Sequence, residues 1–230
     1  MPQLRPTARV IACLACACLA GAADAALLQI GSSAGLSAAN SSMLFPTVAS
    51  STSVGPSVDY VNPDNTLSFT ATNGDLYNET VDTTYFGSAF ASGTNLLFAG
   101  SPANGPAGPL TIRFNTPVVE FGFGAENYVF GDYTVSFDIF DGATLLGSLL
   151  ASGNASAQFS FVGARVDAGE HISRVVLRSA PADLGALADD FGIGPVSYGF
   201  GATLALPEPA SLALASLAML ALALTRVRRR

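Results

Sequence analysis

The chain has 230 residues, half of them hydrophobic and 12% charged, with a formal net charge of −7. That apolar content excludes a disordered acidic chain, and the acidic balance argues against a nucleic-acid binder. There is no Lys, and six of the ten Arg stand at the two ends, so residues 26 to 206 hold four Arg against fifteen carboxylates, a net of −11.

Arg5 and Arg9 precede an apolar run from Val10 to Ala20, and the small residues Ala23, Asp24 and Ala25 follow it. This order is that of a secretory signal peptide, cut by signal peptidase after Ala25. Eleven residues cover only about 17 Å as a helix, too little to span a bilayer. Cys13, Cys16 and Cys18 all lie in the run. They leave with it, so the mature chain has no disulfide, thiolate catalyst or Cys-ligated metal. A lipoprotein acylated at Cys13 is disfavoured, because no hydrophobic run precedes it: only Val10, Ile11 and Ala12 separate it from Arg9.

From Ala26 to Val196 short alternating runs recur between turn residues, with no long helical period. The segment from Ala26 to Ser57 is Ser/Ala-rich and weakly patterned. Strands are expected at Leu67 to Thr72, Leu110 to Asn115, Val118 to Phe123, Gln158 to Val162, His171 to Ser179 and Leu187 to Ile193. The clearest hairpin runs from Tyr133 to Phe140, turns at Asp141-Gly142 and returns over Thr144 to Ala151, with Tyr133, Val135, Phe137 and Ile139 on one side. The stretch from Gly100 to Pro109 is rich in Gly and Pro and reads as a long loop, with an interdomain linker as the alternative. The fold expected is all-β: a single antiparallel β-sandwich or jelly roll over residues 26–196, whose core is filled from fifteen Phe and six Tyr. A linker over 197–206 follows. A signal helix and a C-terminal transmembrane helix flank the domain.

The tail from Ala210 to Thr225 is sixteen uncharged residues with six Leu and six Ala, followed by Arg226, Arg228, Arg229 and Arg230. It covers about 24 Å, enough to span a thinned bilayer with snorkelling arginines. The positive-inside rule keeps those arginines cytoplasmic and sends the middle outward. Just before it, Pro207, Glu208 and Pro209 hold the backbone extended and open to a processing enzyme.

Pro-Glu-Pro, a short Leu/Ala helix and a terminal Arg cluster resemble the PEP-CTERM sorting signal of Gram-negative bacteria, over about Leu206 to Arg230. The resemblance implies recognition and cleavage by an exosortase, an inner-membrane-anchored precursor, and a mature protein at the cell surface or in the extracellular matrix, associated with exopolysaccharide or biofilm. An L-P-x-T-G sortase signal is disfavoured by Pro209 and Ala210, and an ordinary membrane anchor is the plain alternative. The second half, from Leu110 to Gly194, with Phe114 to Phe123, Phe137 to Gly142 and Ala188 to Gly194, is similar to the β-rich ectodomains common on such proteins. Many of those look like jelly-roll carbohydrate-binding modules, which implies a fold more than a ligand.

The middle has one His and neither Cys nor Lys. Ser–His–Asp chemistry would need His171, yet no G-x-S-x-G elbow occurs. Carboxylate pairs for glycoside hydrolysis exist among Glu120, Glu126, Asp132 and Asp138, but nothing marks two of them as buried. The chain is therefore expected not to be an enzyme, with a secreted carbohydrate-active enzyme or carbohydrate-binding module as the alternative. Asp189 and Asp190 are the candidate metal ligands, for a structural calcium drawn by the carboxylate excess, although the D-x-[DN]-x-[DN]-G loop is absent. No other cofactor is expected. With no Trp, the candidate sugar platforms are Tyr60, Tyr77, Tyr85 and Tyr128.

Overall fold

The computed structural model describes residues 27–38, 40–81, 89–100, 108–128, 131–156, 158–167, 169–181 and 189–201. Both expected end helices lie outside these residues, with Ala23, Ala25, Pro207, Glu208, Pro209 and Arg226 to Arg230. Among the described residues no helix is long and apolar enough to cross a membrane.

The first half supplies β1 (Leu27–Gln29), β2 (Ser41–Met43), β3 (Thr52–Gly55), β4 (Ser57–Asn62), β5 (Asn65–Ala71), β6 (Asp75–Thr80) and β7 (Asn95–Gly100). The second supplies β8 (Leu110–Val118), β9 (Glu120–Asn127), β10 (Asp132–Asp141), β11 (Thr144–Asn154), β12 (Ser160–Val166), β13 (Ile172–Pro181), β14 (Phe191–Ile193) and β15 (Val196–Gly199). One 3-10 turn, Ser33–Gly35, follows β1. The pairings are antiparallel and form two sheets, as the alternation predicts. Sheet A runs β1-β12-β9-β14-β7-β6-β3, with β15 joining β2 to β9, and sheet B runs β11-β10-β13-β8-β5-β4.

The alternating residues face each other across one core. Tyr133, Val135, Phe137 and Ile139 of β10 are buried, as are Leu67 and Phe69 of β5 and Val175 and Leu177 of β13, while sheet A contributes Phe121, Phe123, Phe191, Ile193 and Tyr198. The hairpin pairs Phe137 with Leu149 and closes at Asp141 and Thr144, with a bulge near Phe140. The Tyr133 hydroxyl locks the sheets together: it donates to the Ala125 carbonyl at 2.6 Å and accepts from the Ser160 amide at 2.9 Å.

Three expected boundaries move. The two runs around Val118 form one strand to Val118 and another from Glu120, because the chain crosses from sheet B to sheet A at Val119, whose amide donates to the Gly199 carbonyl. β15 carries the sheet past Val196 to Gly199. Of the strand expected over Leu187 to Ile193, Phe191–Ile193 is the paired part. Residues on both sides of the Gly/Pro-rich stretch at 100–109 share the sheets, since β8 pairs with β5 and β14 with β7.

Candidate functional site

The outward face of sheet A is built on glycine. In β9 the sequence Glu120-Phe121-Gly122-Phe123-Gly124-Ala125-Glu126 alternates, so Phe121, Phe123 and Ala125 enter the core while Gly122, Gly124 and Glu126 face outward. A Cβ on Gly122 would lie 2.6 Å from the Phe161 ring, and one on Gly124 would lie 2.8 Å from Phe159 and 2.9 Å from Phe90. Glycine here lets aromatic rings lie directly on the backbone. Phe90 and Phe159 stack with centroids 4.9 Å apart, in a second apolar cluster with Val81, Leu96, Phe98 and Tyr77. Thus β9 is covered on both faces.

Under this cover sits Glu126, opposite Gly192 in β14. It is 1% exposed, and among the described residues neither carboxyl oxygen has a hydrogen-bond partner. Burial pushes its pKa up to about 7, offset in part by the nearby Phe90 amide, which does not reach hydrogen-bond geometry. Asp190 is also buried, and its Oδ1 has no hydrogen-bond partner among the described residues. It lies against Gly100, where a Cβ would be 1.8 Å from that oxygen. Burial, then the charge of Glu79, raises its pKa to about 6.

Asp189 has φ 66°, uncommon for a residue with a side chain. The turn sends its carboxylate to sheet B, where Oδ1 accepts the Ser179 amide at 2.9 Å while the Asp189 amide donates to the Ser179 carbonyl at 2.7 Å. Burial raises its pKa, with Ser179 and Arg178 pulling the other way. Asp189 and Asp190, adjacent in sequence, therefore serve different strands. Among the described residues no three His, Cys, Asp or Glu side chains stand close enough to hold a metal ion.

The other candidate carboxylates separate. Glu120 is buried, but the Arg165 guanidinium donates to it through Nε at 2.7 Å and the Ser37 amide at 3.0 Å. Burial would raise its pKa, and Ser37 and Arg165 together outweigh that and lower it. Asp132 and Asp138 belong to sheet B and accept from Asn154 and Ser148. His171 is exposed just before β13. Of the tyrosines, Tyr60 packs edge-on against Phe45 and Phe69 and donates to Asn78, and Tyr77 sits by Phe98. Tyr128 is 40% exposed beside Phe98, and Tyr85 lies outside the described residues.

A groove of about 400 Å³ opens where the edges of the two sheets meet, lined by Gln29, Ser32, Ser152, Gln158, Phe159 and Phe161 among others. Amides and hydroxyls beside two aromatic rings suit a neutral sugar, whose hydroxyls need hydrogen bonds and whose C–H face packs on a ring. Gln29 is held by donating from Nε2 to the Leu150 carbonyl at 2.6 Å. Among the described residues no ionisable side chain lines this groove. Its residues come from three separated segments, so no local motif marks it.

No family model matches the chain, and no curated protein matches it. Among solved structures it is similar to the enzymatically active domain of tailspike protein 4 of bacteriophage CBA120, at 15% identity and a TM-score of 0.27, over 78% of this chain and 20% of that one. The chain thus spans about a fifth of that protein's length. The expectation that this chain is not an enzyme is corrected here: the matched domain is described as enzymatically active, and the expectation is withdrawn. A likeness at that TM-score assigns no activity in its place.

Proposed function

We propose that this is an exported cell-surface or extracellular-matrix protein that meets exopolysaccharide through its β-sandwich. Signal peptidase removes residues 1–25, and an exosortase recognises Pro207, Glu208 and Pro209 while the apolar tail and its arginines hold the precursor in the inner membrane. The reading is carried by the contrast between two arginine-flanked apolar ends and a middle with four Arg against fifteen carboxylates. The uncharged groove at Gln29, Ser152 and Phe161 supports contact with a neutral glycan. Intact-mass measurement of protein recovered from the cell surface tests the sorting: mature material lacks both residues 1–25 and Arg226 to Arg230, and retention of the arginines would overturn it. Asp190 is kept as the candidate calcium ligand, checked by a calcium-dependent rise in melting temperature that Asp190→Asn abolishes.

A further inference from the structure

Sheet B ends on β11, the longest strand among the described residues. Its eleven residues, Thr144 to Asn154, are flanked in the sheet by β10 on one side only. The strand holds no charged residue and no Pro. An edge strand presents a row of open N–H and C=O groups, and sheets shield such rows by keeping the strand short or by placing charge or Pro on it. The other edges follow that rule: β1, β2 and β3 have three or four residues, and β4 carries Asp59 in its middle. β11 does not.

The far end of this edge is closed within the chain, since the Asn154 amide donates to the Gln158 carbonyl at 2.9 Å and the Gln158 amide returns a bond at 2.8 Å. Gln29 Nε2 donates to the Leu150 carbonyl at 2.6 Å, so that carbonyl points away from β10, and it keeps a second lone pair. Leu145 is 52% exposed and Leu150 65%. Residues five apart on a regular strand fall on opposite faces, but the bulge near Phe140 cancels that difference. Leu145 pairs with Phe140 and Leu150 with Ser136, and both partners alternate with the buried Val135, Phe137 and Ile139. Both exposed leucines therefore stand on the outward face, while Leu146 and Leu149 pack toward the core.

The order Leu145-Leu146-Gly147-Ser148-Leu149-Leu150 reads nearly alike in both directions. A second copy turned antiparallel about an axis between Gly147 and Ser148 sets Leu145 opposite its Leu150, Leu146 opposite its Leu149, and a small residue opposite a small one. From this symmetry we propose that the domain pairs with a second copy of itself through β11, joining two B sheets into one. The exposed leucines then cover one another, twice by symmetry. Charge selects the same stretch: with four Arg against fifteen carboxylates two copies repel over most of their surface, and this segment brings no carboxylate to the axis. Asp138, one strand in, accepts from the Ser148 hydroxyl. A strand of another protein would find the same backbone groups, but nothing in it would call for leucines matched in both directions. Each copy has one such edge, so the assembly closes at two. The paired stretch ends at Leu150, where the groove begins.

The test is light scattering on size-exclusion fractions of the full chain in mild detergent, with the detergent mass subtracted. Wild type has the mass of two chains and falls to one on dilution. Leu150→Glu puts a charge on the edge and weakens dimerisation at least about tenfold, and Leu145→Lys does the same. Both positions are exposed, so the melting temperature and the far-ultraviolet circular dichroism hold. Leu145→Lys and Leu150→Glu in one chain place opposite charges across the axis at both ends and restore the dimer, which neither association through the apolar tails nor a damaged edge would do. A monomeric wild type, growth beyond two chains, a dimer indifferent to Leu150→Glu, or a double variant no better than either single one would each overturn the proposal.

Discussion

Replacing Glu126 by Gln tests whether the outward face of sheet A buries a carboxyl that must stay protonated. Glu126 rises from an ordinary value of 4.5 to about 7 on folding, with burial as the leading cause. A carboxyl raised in the folded state costs nothing below its unfolded pKa, and its penalty grows as pH rises through the interval. The window is therefore about pH 4.5 to 7, and the full penalty above it is at most about 3 kcal/mol. Gln keeps the shape but has no charge to bury, so its unfolding free energy should not carry this slope. At pH 5 the amide competes with a protonated acid and costs up to about 2 kcal/mol through its own unmet hydrogen bonds. By pH 8 the difference between variant and wild type should move in favour of the variant by about 2–3 kcal/mol. Urea unfolding followed by far-ultraviolet circular dichroism, at steps from pH 5 to 8, reads this directly, and is the suitable probe because the chain has no Trp. Asp190 titrates over part of the same range, so Asp190→Asn is run in parallel to separate the two slopes. Parallel pH profiles for wild type and Glu126→Gln would refute the reasoning, because the carboxyl would then be as well solvated folded as unfolded.

Tyr133→Phe should lower the unfolding free energy by about 1–3 kcal/mol, since the Ser160 amide loses its acceptor and the Ala125 carbonyl one donor in the core; denaturant midpoints measure it. Arg165→Met leaves the buried Glu120 carboxylate without its cation and should cost about 3 kcal/mol at neutral pH. Glu120 has a lowered pKa, so that loss should shrink as the solution is acidified and the carboxyl protonates, which melting curves at two pH values resolve. Gly100→Ala should destabilise through collision with Asp190 and through its φ of 158°, and Asp190→Ala in the same chain should recover part of the loss in a double-mutant cycle. Gly124→Val should expel Phe159 and Phe90 from β9, exposing apolar surface that a hydrophobic dye reports.

Much of the sandwich was legible because one-sided burial writes a period of two into the sequence, and Tyr133 to Ile139 carries that period without interruption. The period was less informative at β9. There Phe-Gly-Phe-Gly reads as a strand with one bare face, yet Phe90 and Phe159, from segments distant in sequence, lie over the glycines. For the same reason Glu126 was one of four indistinguishable carboxylates. Asp132 and Asp138 stand on the open face of sheet B, and only the cover over β9 makes Glu126 different. Asp189 and Asp190 looked like a ligand pair because they are neighbours, but the left-handed turn at Asp189 parts them. Cross-strand opposition of Arg113 and Arg174 requires the β8–β13 register, which the chain order does not provide.

The two outward faces solve the same problem in opposite ways, and the contrast explains where the charges went. A sandwich buries one side of each sheet and leaves the other to water or to cover. Sheet A covers its central strand from within, using glycine to bring Phe90, Phe159 and Phe161 onto the backbone, so an acid on that side is stripped of water and held near neutrality. Among the described residues sheet B has no such cover over β10, β13 and β8, and its outward positions set Ser, Thr, Arg and Asp between the core residues. A buried acid gains nothing from a cation placed on the far sheet, because the core lies between them. With sheets packed about 10 Å apart, Arg113 and Arg174 are too distant to neutralise Glu126 and too close to each other to favour folding on their own. Their counter-charges stand in the same sheet: Asp138 is paired with Val176, between Arg174 and Arg178, and Asp59 lies in the row of Arg113.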